Sequence, residues 1–234
     1  MTGATVRRLG LTVRSLVAAL AGLIGWVAVR HRRPLSWDIA LHNAALAYRA
    51  PAVTAVALAV TGTAEGLAYV VAAVGGLLAL RPRPWWLGAP AGAAVLAAGQ
   101  LLRLGLAAWI GRARPPVTDW AAPAGGYALP SGHTTTATLA AGLLCLGLAR
   151  TLRGAWRAIG AAAAVCWAVA VGITRVYLGV HWPTDVLGGW LFGTLLTVLA
   201  AVALLRLTTP AAAPGRSDQL GTQRSQQQHE GGQL

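Results

Sequence analysis

Three short stretches of this chain hold side chains of the kind that move phosphoryl groups. The densest is Thr174-Arg175-Val176-Tyr177-Leu178-Gly179-Val180-His181-Trp182-Pro183-Thr184-Asp185, set between two long apolar runs. His181 and Asp185 are four apart with Pro183 between them. Proline is favoured at the first position of a helix. The spacing therefore predicts a helix starting near Pro183, with His181 just before it and Asp185 in its first turn. From there Asp185 can reach back to one ring nitrogen of His181, fixing the tautomer and leaving the other nitrogen free to attack. Arg175 offers a planar fork for an oxyanion such as phosphate. The second stretch, Pro130-Ser131-Gly132-His133, opens an apolar run. Ser131 suits a helix N-cap. The free amides of Gly132, His133 and Thr134 would point at an anion, in line with the positive end of the helix dipole. The third stretch, Gly111 to Trp120, carries Arg112, Arg114 and the helix-ending pair Pro115-Pro116.

Together these parts suit phosphoryl transfer. Arg114 and Arg175 would neutralise the non-bridging oxygens, with the Ser131 hydroxyl and the amides around Gly132 as further donors. His181, oriented by Asp185, would attack phosphorus in line and form a phosphohistidine. His133 would protonate the leaving oxygen and then activate water. The arginines supply the charge stabilisation, so no metal or other cofactor is expected. Two arginines beside His133, His181 and Asp185 would oppose a cation there. Any one stretch alone fits an interfacial residue or a helix-start glycine; their joint occurrence carries the reading.

The elements that must position these residues are membrane spans. The chain has 234 residues, 56% of them hydrophobic and only 11% charged, against about 25% charged in soluble domains. Its apolar runs are long enough to cross a bilayer, which takes about 20 residues. An all-α membrane bundle is expected, with six transmembrane helices and one short interfacial helix. The spans fall at about 15–29, 51–80, 87–110, 130–149, 158–174 and 184–205. The first is read as retained, because Arg30, His31, Arg32 and Arg33 follow it rather than a small-residue cleavage site. Residues 34–50 alternate apolar and polar side chains like a helix lying in the interface, with His42 as a surface histidine. Glu65 interrupts the second span, and an ionisable residue there is a functional candidate. Cys145 and Cys166 fall inside spans and form no metal or disulfide framework. The membrane domain is expected over residues 1–207 and a disordered polar tail over 208–234.

All 19 basic side chains other than histidine are arginine, and the net charge is +13. They sit at the ends of apolar runs with no aromatic-interleaved basic face, so they read as topology signals and an anion site rather than a nucleic-acid surface. Their bias puts both termini in the cytoplasm and all three chemical stretches on the outer face. The arginine-only basicity and the alanine and glycine content suggest a bacterial protein, hence a multi-pass protein of a bacterial inner membrane.

The three stretches resemble the signature of the type 2 phosphatidic acid phosphatase superfamily: Lys-x6-Arg-Pro, then Pro-Ser-Gly-His, then Ser-Arg-x5-His-x3-Asp. Residues 107–115, 130–133 and 174–185 align with the three parts, with Thr174 in place of serine. The family lysine falls on Ala107, and Arg103 and Arg112 are the nearby cations that could replace it. The resemblance covers about residues 87–205. It implies hydrolysis of a lipid phosphate or isoprenoid pyrophosphate at the membrane, phosphatidic acid, phosphatidylglycerophosphate and undecaprenyl pyrophosphate being candidates. It also implies catalytic roles for His181, His133 and Asp185, and phosphate binding by Arg114, Ser131, Gly132 and Arg175. The alternatives are a phosphate-binding transporter and a catalytically inactive family member.

Overall fold

The computed structural model describes residues 3–81 and 85–208. Of the expected tail, 208–234, Thr208 is the last residue of α8, and the rest lies outside the described residues, as do residues 82–84. Among the described residues, eight α-helices run in order: α1 (Gly3–Val29), α2 (Ser36–Ala47), α3 (Pro51–Gly62), α4 (Gly66–Leu80), α5 (Gly88–Ile110), α6 (Gly132–Thr151), α7 (Gly154–Tyr177) and α8 (Pro183–Thr208). Single 3-10 turns lie at Trp85–Leu87 and Val117–Asp119. No strand occurs among the described residues.

The helix boundaries follow local chemistry. Pro51 opens α3 after an extended Ala50, and Pro183 opens α8, each where a missing N–H costs nothing. Gly111 closes α5 in the left-handed region (φ +66°), its N–H bonded to the Ala107 carbonyl, as a C-cap glycine does. The chain leaves α7 through Gly179 at φ +75°. A side chain there would also collide with the Asp119 carbonyl, so this turn demands glycine twice over.

Helix α6 is the centre of the bundle. Its Leu139, Ala140 and Leu143 pack on Ala68, Ala72 and Leu96 of α4 and α5. Its Ala137 and Ala141 pack on Ala164, Ala168 and Val171 of α7. Gly189 and Gly193 of α8 lie against Thr134 and Thr138 so closely that no side chain fits. Small residues let helix backbones approach in this way within membranes, where packing rather than hydrophobic exclusion holds helices together. Helix α1 closes the bundle, with Leu20 against Phe192 and Leu195.

Among the described residues, four helices are long and apolar enough to cross a membrane: α1 (from Arg7), α5, α7 and α8 (to Leu204). Helices α3 and α4 pass only as a pair, bent by 44° at the break around Glu65, which raises the number to five. Thus the second expected span is broken where its carboxylate stands. The expected fourth span, α6, is not among them. Its first turns hold Thr134, Thr135 and Thr136, all buried. Thr135 and Thr136 hydroxyls donate to the carbonyls four residues back. A helix surrounded by other helices does not face lipid, so it can carry hydroxyls that satisfy themselves.

The helix expected between the first two spans forms as α2, but with the opposite orientation from a simple interfacial helix. Asp38 and His42 are buried, while Ile39 and Leu41 are exposed. His42 is therefore not a surface histidine. Its Nε2 lies 3.0 Å from Asp119 Oδ2, and its ring centroid is 5.1 Å from that of Trp182. The polar side of α2 faces inward because its partners are there.

Candidate active site

Asp185 sits in the first turn of α8, where three donors converge on its buried carboxylate. Trp182 N–H donates at 2.8 Å, closing the start of the helix. Arg112 Nη1 donates at 2.5 Å. His181 Nδ1 lies at 3.4 Å, the longest of the three. The other nitrogen of His181, Nε2, is 2.8 Å from Arg114 Nη1. A guanidinium can only donate, so Nε2 is the acceptor and the proton resides on Nδ1, facing Asp185. That tautomer leaves the lone pair on the nitrogen that would attack.

His181 is 1% exposed. Burial lowers its pKa to about 4, the Asp185 carboxylate pulling it up and the Arg114 and Arg175 guanidiniums pushing it further down. The imidazole is neutral at physiological pH, as a nucleophile must be. Arg114 is held by a cradle of carbonyls: Nε donates to Gly126, Nη2 to Gly125 and Tyr127, and Nη1 to Val180. The loop after Pro115-Pro116 is thereby tied to the segment bearing His181. Burial lowers the Arg114 pKa, Asp185 raises it, and the nearby Arg103 lowers it again.

Ser131 occupies the N-cap of α6, but its hydroxyl makes no capping bond. Instead its Oγ accepts from Thr134 Oγ1 at 3.0 Å, and its N–H donates to the Asp185 carbonyl at 3.0 Å. Hence the start of α6 is bonded to the start of α8. Gly132 follows, and His133 is partly open, with Nε2 3.5 Å from Glu65 Oε1. Glu65 stands at the break between α3 and α4. Arg175, near the end of α7, is buried; its Nη1 donates to Thr61 Oγ1 at 3.0 Å, and its Nε has no partner. A cavity of about 400 Å³ lies here, lined by Glu65, Tyr69, Gln100, Arg103, Gly132 and His133 among others. A second cavity of about 480 Å³ between α6, α7 and α8 has no basic or acidic side chain in its lining and offers nothing to a phosphate.

The structure thus brings His181, Asp185 and Arg114 into direct contact, bonds Ser131 to Asp185, and places His133, Gly132 and Arg175 at the same end of the bundle. Asp38 was missed from the sequence. Its carboxylate accepts from Arg112 Nη2 (2.8 Å), Thr184 N–H (2.9 Å), Thr184 Oγ1 (2.8 Å) and Leu35 N–H (3.0 Å). Arg112 is fully buried between Asp38 and Asp185. It is therefore a strut behind Asp185 and does not replace the missing cation at 107. Scarcity was the available signal: the chain has six acidic residues, two of them in the tail. Each of the other four, Asp38, Glu65, Asp119 and Asp185, meets an arginine or a histidine here.

Known proteins are similar to this chain. The chain is 34% identical over 102 residues to phosphatidylglycerophosphatase B of Escherichia coli (strain K12), covering 44% of this chain and 39% of that protein. It is 38% identical over 74 residues to undecaprenyl-diphosphatase of Sulfolobus acidocaldarius, covering 32% of each. It is 33% identical over 132 residues to lipid A 1-phosphatase of Rhizobium etli, covering 52% of each. The chain thus spans about a third to a half of the length of these curated relatives. The crystal structure of a transmembrane PAP2 type phosphatidylglycerolphosphate phosphatase from Bacillus subtilis superposes with a TM-score of 0.71 at 26% identity, covering 86% of this chain and 99% of that one. With that likeness in a transmembrane protein and the apolar helices of the bundle, this is a multi-pass membrane protein. Residues 52–208, from α3 to the end of α8 and including every one of the three chemical stretches, match the PAP2 superfamily, and the chain belongs to it.

Proposed function

We propose that this protein is a membrane phosphatase that hydrolyses a lipid phosphate or pyrophosphate through a phosphohistidine on His181. The observation that carries the reading is the ordered set Asp185–His181–Arg114, in which a neutral buried imidazole presents Nε2 to a guanidinium. In the first step Nε2 attacks phosphorus, the bond to the leaving oxygen breaks, and His133 gives that oxygen its proton. In the second step His133 takes a proton from water, whose oxygen attacks the phosphohistidine. Inorganic phosphate leaves and His181 is restored. Arg114, Arg175 and the amides at Gly132 hold the charge on the non-bridging oxygens, and the Ser131 hydroxyl adds a donor.

Helix α6 completes a six-span layout, buried by its neighbours and so excused from the apolarity of a lipid-facing span. The termini then lie in the cytoplasm and the site on the outer face of the cell membrane, where a lipid tail stays in the bilayer while its head group enters the arginine cluster. The relatives' names support phosphatidylglycerophosphate, undecaprenyl pyrophosphate and lipid A phosphates as classes to try. Phosphate release in detergent with excess EDTA, from such a panel, tests the reading. Release is expected from at least one lipid and should fall by at least about a thousandfold in His181→Ala. Turnover in His181→Ala equal to that of the unaltered protein would remove the mechanism.

A further inference from the structure

Arg103 belongs to α5, well inside the membrane-crossing stretch, and lies outside the three chemical stretches. Its guanidinium leans on the first turn of α6. The Cζ, Nε and Nη1 atoms are 3.5, 3.6 and 3.7 Å from where a side chain at Gly132 would begin. It shares the cavity of about 400 Å³ with His133, Gly132 and Gln100. Arg103 forms no ion pair with a carboxylate among the described residues. Its Nε is buried without a partner. A partly buried guanidinium left without an anion is costly, and an anion in the cavity removes that cost. Gln100 and Thr136 line the same cavity and bond to each other, the Gln100 amide donating to Thr136 Oγ1.

The position relative to the two histidines gives the charge a specific use. His181 with Arg114 and Asp185 forms the nucleophile side. In the phosphatase reading His133 serves the leaving group, and Arg103 lines the same cavity as His133, while lying near enough to Arg114 for the two charges to interact. An alcohol leaves from a phosphate monoester needing only a proton. A phosphate monoester leaves from a diphosphate carrying negative charge of its own, and needs a cation as well. The neighbouring acid, Glu65, is 73% exposed and turned to His133 at 3.5 Å, so it does not neutralise Arg103.

Resting on the phosphatase reading above, we propose that Arg103 forms a second phosphate subsite on the leaving-group side, which makes a lipid diphosphate the preferred substrate class. The terminal phosphorus then lies between His181 and His133, and the inner phosphate on Arg103. Attack by His181 Nε2 breaks the bond from the bridging oxygen to the terminal phosphorus. The bridging oxygen takes its proton from His133 and leaves with the lipid monophosphate, whose charge Arg103 holds.

The test compares farnesyl diphosphate with farnesyl monophosphate, which share one tail, as substrates in detergent. The ratio of their kcat/KM values is measured for the unaltered protein, Arg103→Gln and Arg103→Lys. The diphosphate-to-monophosphate ratio should fall by at least about tenfold in Arg103→Gln and recover in part in Arg103→Lys. An unchanged ratio in both variants, whether activity is kept or lost on both substrates alike, overturns the subsite. Thermal shift of the purified protein with inorganic pyrophosphate and with orthophosphate reads the same subsite without turnover. Pyrophosphate should stabilise the unaltered protein more than orthophosphate, and Arg103→Lys should shrink the difference; equal shifts overturn the proposal. If neither farnesyl substrate nor any lipid of the panel above is hydrolysed while pyrophosphate still binds through Arg103, the phosphatase reading fails and the subsite stands.

Discussion

Arg114 and Asp185 hold the two nitrogens of His181 from opposite sides, and burial makes the ring neutral between them. The consequence is visible in a pH profile. An exposed histidine takes up a proton near its ordinary value of 6.5 and stops being a nucleophile as pH falls through that value. His181, with its pKa lowered to about 4, keeps its lone pair until the pH approaches that figure. The acid limb of kcat/KM should therefore fall near pH 4, once the substrate's own second ionisation, at roughly pH 6, is divided out. A remaining enzyme limb at the ordinary histidine value would show that the nucleophile is not this buried ring. At this scale the sequence was most legible for His181 and Asp185. Their geometry is local, set by one proline and one helix turn. The partner of His42 was not legible, because Asp119 comes from a loop 77 residues away.

Between elements, the site is a set of helix ends bonded to each other. The start of α8 is tied to the start of α6 through Ser131 N–H and the Asp185 carbonyl, and to the end of α5 through Arg112. Helix α2 supplies the outermost layer. Its Asp38 grips Arg112 and Thr184 together, so a helix outside the signature stretches fixes the angle of Asp185. Asp38→Asn keeps the shape of the side chain and removes its charge. It should lower kcat roughly 10- to 100-fold through misorientation of the proposed nucleophile His181, with KM changed less than about threefold, since Arg114 and Arg175, proposed to bind the phosphate, do not bond to Asp38. Equal losses in kcat and in substrate affinity, as in general unfolding, would count against a positioning role. Residues 34–50 read correctly as a helix of mixed polarity. Which face turned inward could not be read from them, because it depends on Arg112 and Thr184, placed 74 and 146 residues later.

At the scale of the whole molecule, the bundle is inverted in polarity. Large apolar side chains such as Val56, Val70, Leu101, Leu102, Ile159 and Ile173 face outward, while Arg112, Arg175, His181 and Asp185 are buried. A soluble protein rarely exposes so much apolar surface; in a bilayer it is the side that meets lipid. The apolar runs made the long helices α1, α5, α7 and α8 legible at once. The same measure was weakest for α6, which is central and carries threonines, and for the pair α3 and α4, whose bend at Glu65 is a packing outcome. At that bend Glu65 stands 3.5 Å from His133.

Covalent chemistry on His181 is tested most directly by rapid alkaline quench of the purified protein during turnover of a lipid phosphate or diphosphate, followed by peptide mass spectrometry. A phosphoryl group should be found on the peptide that contains His181, formed within one turnover, absent in His181→Ala and accumulating in a variant slowed in the second step. Steady turnover with no phosphoryl group on that peptide, with solvent oxygen transferred to phosphorus in a single inverting step, would contradict it and leave His181 as a base for water.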